Sequence, residues 1–512
     1  MRGSPVSLSR RRFLGVGLAG AGATLALAAC GSGPGGEGEP RSGGTLRIGA
    51  LGQPSKIERD PHQTLSNDSD FLIMSLVFDA LTVPGANPNV APRLAARWTQ
   101  QPDPRVWRFE LAAGATFHDG SPVTSADVEW SLRRLREIAG ETKVPVASAQ
   151  DVVADGPSAV RLTTASPNRE LPLLLRLMTF TVKQGTTDFT RPIGTGPFRL
   201  ESFNDGNARL VRNEHWHGGA PLLDAIEVQR FDSTAAMTNA ILAGQIDLAS
   251  NVGAVAGRTA RTRPNLTVVR RADDVVIPLV MRTSDGPFAD ARVRQALRLA
   301  VDREELVKQI TSGYGTVAND VLGTGDPTYD KTLPRRSRDI PRARRLLAEA
   351  EFDTSAKYQL FTKEEAAGEV DFAKVFANQA KDVGLNIEVV IQDANVFYDQ
   401  TWLKAPLYTV NWGTNDSVIF FASKTMYSGT KWNESGFKDP EFDRAYLSAS
   451  TAVDDATYTA ASHTLQRIEY DRGGYLVWGT ADGVDVASSA VHGLPRLGGY
   501  GRVQLEKAWM SA

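Results

Sequence analysis

The chain contains a single cysteine, Cys30, among its 512 residues. With no second thiol, it can form no intramolecular disulfide and no metal site built from several cysteines. The sequence also lacks a Walker A lysine loop and a Gly-x-Ser-x-Gly elbow. Neither ATP hydrolysis nor the chemistry of an α/β-hydrolase therefore has support in the sequence.

Histidine is scarce as well, with six residues in the whole chain. His215 and His217 could place two imidazoles on one face of a strand and bind a transition metal. The alternative, which we favour, is that both belong to a structural stretch, because the remaining histidines show no ligand spacing with one another. We predict no metal and no cofactor.

The chain has no marked excess of basic residues and no second long apolar run. Its formal net charge is -2, which argues against a nucleic-acid partner, because binding phosphates requires a concentrated basic surface. Beyond the N-terminal stretch, no apolar run is long enough to cross a bilayer, so the chain is not itself a pore. Length alone predicts about three structural units.

The N-terminal stretch begins with basic residues, continues with a short Gly/Ala/Leu-rich core and ends with small residues. This order is typical of a secretory signal peptide, which we assign to residues 1–30. Ser9-Arg10-Arg11-Arg12-Phe13-Leu14 resembles a twin-arginine export motif, and Leu27-Ala28-Ala29-Cys30 resembles a bacterial lipobox. An ordinary basic leader and an incidental thiol are the respective alternatives.

In the lipobox interpretation Cys30 is acylated and becomes the mature N-terminus. Residues 31–42, rich in Gly, Pro and Glu, then form a flexible tether. We expect an extracytoplasmic protein, lipid-anchored to the outer face of the cell membrane or periplasmic.

Strand and helix patterns mix along the rest of the chain. Alternating apolar and polar residues predict strands at 45–48, 107–111, 226–229 and 387–391. A period near 3.6 residues predicts helices at 124–135, 237–241, 293–301, 302–310 and 372–383. No repeat of 20 to 50 residues appears, so we predict an α/β fold (mixed α+β) rather than a solenoid.

Five phrases in order resemble the family 5 extracellular solute-binding proteins, the peptide/nickel type that serve ABC importers. They are Phe117-His118-Asp119-Gly120-Ser121-Pro122, Gly194-Thr195-Gly196-Pro197-Phe198, Asn213-Glu214-His215-Trp216, Leu242-Ala243-Gly244-Gln245-Ile246-Asp247 and Pro287-Phe288-Ala289-Asp290-Ala291-Arg292. We interpret most of them as structural, with the glycines supplying backbone angles that other residues reach at a cost.

The resemblance implies two lobes that close around a ligand, with an extra subdomain in the first lobe. It places the first lobe at 43–65, 190–273 and 484–512, the extra subdomain at 66–189 and the second lobe at 274–483. The chain would cross between the lobes near Asp273-Asp274 and near Trp478 to Gly483, forming a hinge.

The resemblance also suggests a ligand site. Peptide-binding members carry Trp-x-x-Asp, whose carboxylate pairs with the ligand's α-ammonium group. Here the third residue after Trp412 is Asn415, and the acid, Asp416, comes one place later. In an extended segment this shift points a side chain to the opposite face. Either Asp416 still serves an amine, or the ligand has no free α-ammonium group and Asn415 offers neutral hydrogen bonds.

Trp412 could supply an aromatic floor for a peptide, a sugar ring or a side chain, or could be a core residue. Four weaker candidates lie near the matched segments at the edges of the lobes. They are Asn411, Arg282, Asn319 and Tyr398.

By resemblance, the expected function is that of a non-catalytic substrate-binding lipoprotein of an ABC importer, acting as a monomer. It would capture a small solute, most readily a peptide, and deliver it to a permease with separate ATPase subunits. The alternatives are a non-peptide solute such as a sugar, an opine or a metal chelate. An extracytoplasmic hydrolase, or a signalling or adhesion module, is a competing class.

Overall fold

The computed structural model describes residues 39–52, 59–63, 67–86, 90–140, 144–176, 178–204, 207–414 and 416–511, without the side chains at 395 and 500. The predicted signal peptide, with Arg10, Arg11 and Cys30, lies outside the described residues, and so does Asn415. The chain from Pro40 onward forms one compact unit. None of the described helices is long and apolar enough to span a bilayer.

Strands account for much of the described chain. They are β1 (Thr45–Leu51), β2 (Thr82–Pro84), β3 (Val90–Pro92), β4 (Ala95–Gln100), β5 (Val106–Leu111), β6 (Val152–Ala154), β7 (Ala159–Thr163), β8 (Phe198–Asn204), β9 (Asn207–Arg212), β10 (Ala225–Phe231), β11 (Leu248–Ala249), β12 (Leu266–Val276), β13 (Leu279–Met281), β14 (Gly315–Val317), β15 (Lys357–Lys363), β16 (Asn386–Gln392), β17 (Leu407–Thr409), β18 (Trp412–Gly413), β19 (Tyr475–Leu476), β20 (Gly479–Ser488), β21 (Val491–His492) and β22 (Trp509–Met510).

Helices alternate with these strands throughout. They are α1 (Asp68–Val77), α2 (Ser125–Ala139), α3 (Leu171–Leu174), α4 (Thr234–Leu242), α5 (Gly253–Ala260), α6 (Ala291–Ala300), α7 (Arg303–Thr311), α8 (Ile340–Glu349), α9 (Glu369–Ala380), α10 (Ala394–Val396), α11 (Val418–Phe421), α12 (Pro440–Thr451) and α13 (Asp455–Arg472). Two π-helical turns, Phe397–Thr401 and Ala422–Met426, follow α10 and α11. The predicted mixture of helix and strand is confirmed.

The largest sheet has nine strands in the order β18-β12-β20-β11-β1-β10-β9-β8, with β14 also paired to β20. Successive strand residues point to opposite faces, so Leu248 joins an apolar cluster with α1, whereas Ala249 joins one with α4 and α5. We call this sheet and its helices the first lobe. Strands β14 and β18 pair here although they fall in the stretch 274–483 predicted for the second lobe.

A second sheet has five strands in the order β16-β15-β17-β13-β19. Apolar clusters cover both faces: Leu279 and Leu407 face the side of α6 to α9, and Val280 and Tyr408 face the side of α11 to α13. This is the α/β arrangement of a sheet between two helical layers. We call it the second lobe.

The four-stranded sheet β4-β5-β7-β6 carries α2 on one face. Trp107, Phe109 and Leu111 are buried in its core, as the alternating pattern of that stretch predicts. Helix α2 starts with the predicted capping box, because the Thr124 amide donates to the Asp127 carboxylate at 2.8 Å. We call this unit the subdomain.

Short helix α3 joins the subdomain to the second lobe. Leu171 and Leu175 are buried in the core of the subdomain. Leu173 and Leu174, on the other side of the same turn, pack against the core of the second lobe. The subdomain is thereby in direct apolar contact with the second lobe.

Besides the passages to the short strands β14 and β18, two chain crossings connect the two large sheets. The first runs from β12 through Ile277 and Pro278 to β13, and the second from β19 through Val477 and Trp478 to β20. The Trp478 indole donates to the Ile277 carbonyl at 2.8 Å, which ties the crossings to each other. The lobe boundaries predicted from the sequence remain a prediction beside these observed strand ends.

Three of the five motifs that carry the family resemblance meet in a buried joint at the end of α1. The Gly194 amide donates to His118 Nδ1 at 3.2 Å, and His118 Nε2 donates to the Gly196 carbonyl at 3.0 Å. Burial lowers the pKa of His118 to about 4, which keeps the imidazole neutral for this arrangement. Asn213 Nδ2 also donates to Gly196, at 3.0 Å.

The glycines of this joint are required by space rather than by backbone angle, contrary to the expectation for Gly194 and Gly196. A Cβ atom on Gly194 would lie 1.9 Å from the Val77 carbonyl oxygen at the end of α1. A Cβ atom on Gly196 would lie 2.5 Å from the Leu76 carbonyl oxygen. Gly120, in contrast, has a φ of 83°, in the left-handed region that favours glycine.

Candidate ligand-binding site

A cavity of about 420 Å³ lies between the first lobe, the subdomain and the second lobe. We call it the cleft cavity. Its walls combine aromatic rings, charged groups and backbone. They include Asp68, Asn251, Asp274, Gly499 and Arg502 of the first lobe, Leu174 and Arg176 beside α3, and Trp412, Asp416, Phe420, Lys424 and Trp432 of the second-lobe stretch. The volume falls within the range of small-molecule sites, roughly 300–1,000 Å³.

Trp412 is positioned at the junction of the two large sheets. It pairs with Val276 in the register of β18 on β12, so its backbone is fixed beside the first crossing. Its ring lies edge-on to Phe421, with centroids 6.1 Å apart. Trp412 therefore lines the cleft cavity and also packs against the core of the second lobe, and its role as an aromatic floor for a ligand remains a prediction.

Glu434 orients Trp412 and its aromatic neighbours by accepting hydrogen bonds from them. Its carboxylate accepts from the Tyr475 hydroxyl at 2.7 Å, from Trp402 Nε1 at 3.0 Å and from Trp412 Nε1 at 3.4 Å. Burial raises the pKa of Glu434. Sequence reasoning missed this residue because no pattern connects it to the tryptophans that it orients.

Asp416 lines the cleft cavity, and its carboxylate forms an ion pair with Arg176. The guanidinium is buried, with 2% of the side chain exposed, and comes from the chain just after α3. Burial raises the pKa of Asp416, and the nearby Arg176 charge offsets part of that rise. The acid singled out in the sequence thus has a counter-ion supplied by the protein itself.

The other charges of the cleft cavity are also largely compensated within the protein. Arg502 forms an ion pair with Asp68. Asp274 accepts from the Gly499 amide and from Arg271, a buried arginine that also pairs with Asp485. A neutral or zwitterionic ligand suits such a balanced surface better than a strongly charged one.

The four weaker candidates are not among the described residues that line the cleft cavity. Asn411 Nδ2 and the Tyr398 hydroxyl both donate to Glu365, at 3.0 and 2.7 Å. Arg282 donates to Asp285 and to the Leu403 carbonyl, and Asn319 donates to the Pro334 carbonyl. Each has a local structural partner, so a ligand role for them remains a prediction.

His217 Nε2 lies 3.1 Å from the buried Asp79 carboxylate, which also accepts from the Trp216 indole. His215 does not share this contact with Asp79. Among the described residues, no three His, Cys, Asp or Glu side chains cluster closely enough to hold a metal ion.

Comparison with known proteins places this geometry in a family. The family model described as "Bacterial extracellular solute-binding proteins, family 5 Middle" matches residues 89–434. The oligopeptide-binding protein AppA of Bacillus subtilis is 24% identical over 477 residues, which cover 85% of this chain and 86% of that protein.

Solved structures show the same two-lobed fold. The ABC transporter substrate-binding protein CtaP from Listeria monocytogenes superposes with a TM-score of 0.80 at 19% identity, covering 92% of this chain and 100% of that chain. NikZ from Campylobacter jejuni, solved in complex with Ni(L-His), gives a TM-score of 0.77 at 19% identity and covers 91% and 99% of the two chains. The chain belongs to the bacterial extracellular solute-binding proteins of family 5.

Proposed function

We propose that this chain captures a peptide or peptide-like solute in the cleft cavity and delivers it to an ABC permease whose ATPase subunits are separate. The observation that carries the proposal is the cleft cavity itself, which is enclosed by both lobes and lined by Trp412, Phe420 and Trp432. Aromatic walls bury the apolar parts of a peptide, and closure of the lobes removes it from water. The oligopeptide-binding relative supports the peptide class.

The ion pair between Asp416 and Arg176 bears on which end of a peptide is recognised. Because Asp416 is already neutralised, we propose that it does not select for a ligand ammonium group. N-acetylation of a binding peptide should then change the Kd by less than about tenfold. A loss of more than a hundredfold on acetylation would instead show that the ammonium group displaces Arg176 (about 2.7 kcal/mol or more).

The peptide class is tested by calorimetry of the purified protein against defined pools of dipeptides and longer peptides, with uncharged sugars and Ni(L-His) in parallel. Peptide binding that Trp412→Ala weakens at least about tenfold supports the proposal. Lys374→Gln, on an exposed part of α9, is the matched control and should leave the Kd unchanged. Binding of a sugar or of Ni(L-His), with no response to any peptide, would contradict it.

We further propose that the mature protein is lipid-anchored through Cys30 and that Arg10 and Arg11 direct its export. The support is the order of basic residues, apolar core and Leu-Ala-Ala-Cys in the sequence. Metabolic labelling with an alkyne fatty acid should label the wild type and not Cys30→Ser. Replacing Arg10 and Arg11 together by lysine should retain the precursor in the cytoplasm; normal export of that variant would favour the general secretory route.

A further inference from the structure

The stretch between Asp247 and Asp273 contains five arginines and no acid. Arg271 is buried and forms ion pairs with Asp274 and Asp485. The other four arginines are exposed and belong to α5, to β12 and to the connection between them. They are Arg258, Arg261, Arg263 and Arg270. We call these four residues the arginine patch.

Among the described residues, Asp482 is the one acid that forms an ion pair with the arginine patch, through Arg270. Arg258 instead donates to the Ser312 hydroxyl at 2.7 Å. The Cζ atom of Arg261 lies 4.7 Å from the centroid of the Tyr314 ring. Because serine and tyrosine carry no charge here, the patch presents an excess of positive charge to the solvent.

The arginine patch reaches the edge of the large sheet at which the chain enters the first lobe. Strands β11 and β12 both pair antiparallel with β20, and β11 pairs parallel with β1, so β1, β11 and β12 run in the same direction. Ala487 of β20 pairs with both Leu248 of β11 and Thr267 of β12, which fixes their register. Arg263 lies three residues before β12 and therefore at the edge where β1 begins. Three strand spacings, roughly 14 Å in all, separate β12 from β1.

Two acids at the same edge are compensated within the protein. Asp224 directly precedes β10, which pairs parallel with β1, and forms an ion pair with Arg212. Asp247 directly precedes β11 and forms an ion pair with Arg47. These acids therefore add little negative charge beside the arginine patch.

The proposed lipid on Cys30 would keep this edge close to a bilayer. Pro40, where the compact unit begins, follows Cys30 by ten residues. Ten residues of fully extended chain span at most about 35 Å. Anionic lipid surfaces attract basic side chains, and guanidinium groups bind phosphate through paired N–H donors. Exposed arginines at this edge therefore suit the headgroups of anionic phospholipids.

We propose that the arginine patch binds the phosphate groups of anionic phospholipids and holds the first lobe against the membrane to which the protein is tethered. This inference rests on the proposed lipid anchor at Cys30 and adds to it a defined orientation of the protein. The four arginines are not among the described residues that line the cleft cavity. Membrane contact and ligand capture therefore use different surfaces.

The test is co-sedimentation of the mature chain, residues 30–512 with Cys30→Ser, with phospholipid vesicles. Because this chain carries no acyl group, binding reports on the polypeptide alone. We expect binding to vesicles that contain phosphatidylglycerol and little binding to vesicles of pure phosphatidylcholine. Raising the ionic strength to about 1 M, where charges act over only about 3 Å, should abolish it.

The patch variant combines Arg258→Gln, Arg261→Gln and Arg263→Gln. It should bind phosphatidylglycerol vesicles at least about tenfold more weakly, because each basic residue at an anionic surface contributes about fivefold. The matched control removes the same number of exposed arginines from α8 in the second lobe, through Arg342→Gln, Arg344→Gln and Arg345→Gln. This control should bind like the unsubstituted chain.

The inference is overturned if the chain binds both kinds of vesicle equally, or if the patch and control variants lose the same amount of binding. Loss of solute uptake in cells by the patch variant, with unchanged vesicle binding, would assign the patch to the permease and also overturn it. The proposed anchor is tested separately, because acylation of Cys30 is read by fatty-acid labelling. An unlabelled wild type would overturn the anchor and the tethered orientation, whereas vesicle binding reports on the patch itself.

Discussion

At the scale of single residues, the contact between Arg176 and Asp416 is the least expected feature of the cleft. The two residues lie 240 positions apart, and the ion pair forms only because α3 packs between two apolar cores. The sequence pointed to Asp416 through its neighbour Trp412. No local pattern indicated the arginine, because its position depends on the packing of two separate units.

A double-mutant cycle measures how strongly this pair is coupled. Arg176→Gln and Asp416→Asn should each destabilise the protein, because each leaves the charged partner buried without its counter-ion. The double variant should be more stable than the sum of the single effects predicts, by about 1 kcal/mol or more. Urea denaturation of the four proteins gives the free energies of unfolding; simple additivity would show that the two charges act independently.

Glu170 is a second residue whose behaviour follows from its surroundings. Burial raises the pKa of Glu170 to about 7, and the neighbouring Asp326 and Asp416 charges add to the rise, although Ser417 and Tyr458 donate to its carboxylate. The folded protein therefore holds this proton more tightly than the unfolded chain does. The stabilisation is complete below pH 4.5, the ordinary value for the group, and is lost as the pH rises through about 7.

Glu170→Gln should remove this dependence of the protein's stability on pH. Relative to the variant, the wild type should lose stability between pH 5 and pH 8, on the order of a few kcal/mol. Thermal unfolding at intervals of half a pH unit measures the difference. Glu304→Gln, whose parent carboxylate is exposed, is the matched control and should follow the wild-type curve. Parallel curves of stability against pH for the wild type and Glu170→Gln would contradict the raised pKa that we assign to Glu170.

At the scale of elements, local patterns were sufficient wherever a helix or strand is set by its own residues. Strands β1, β5, β10 and β16 and helices α2, α6, α7 and α9 lie where periodicity predicted them. Asp302 caps α7 by accepting from the Glu305 amide, as its position in the sequence indicated. The pairing of β14 and β18 with the large sheet was not predictable, because short strands depend on which neighbour they meet.

The joint at Gly194 gives an element-scale prediction. Gly194→Ala would place a methyl group against the carbonyl at the end of α1, so α1 and the 193–197 segment must separate. We expect a loss of about 2 to 3 kcal/mol in the free energy of unfolding. Gly185→Ala is the comparison, because Gly185 has a φ of 81° and open space around it. This substitution should lower the free energy of unfolding by only about 1 kcal/mol. Equal losses would contradict the steric explanation.

At the scale of the whole molecule, the two lobes and the subdomain meet around one cavity, and ligand binding should change their separation. The absence of cysteine after residue 30 permits site-specific labelling. In a Cys30→Ser background, dyes on Ile138→Cys in the subdomain and Val453→Cys in the second lobe occupy exposed positions. Single-molecule energy transfer should show a shorter distance with saturating peptide than without it, and an unchanged distance would exclude closure.

The hydrogen bond between Trp478 and Ile277 limits the kind of motion available to the hinge. It joins the two peptide segments that connect β13 and β19 with β12 and β20. Because both segments are held at the same point, translation of one lobe past the other there would break this hydrogen bond, whereas a rotation about that point would keep it. We therefore expect the lobes to open by a rotation that leaves the contact between Trp478 and Ile277 in place.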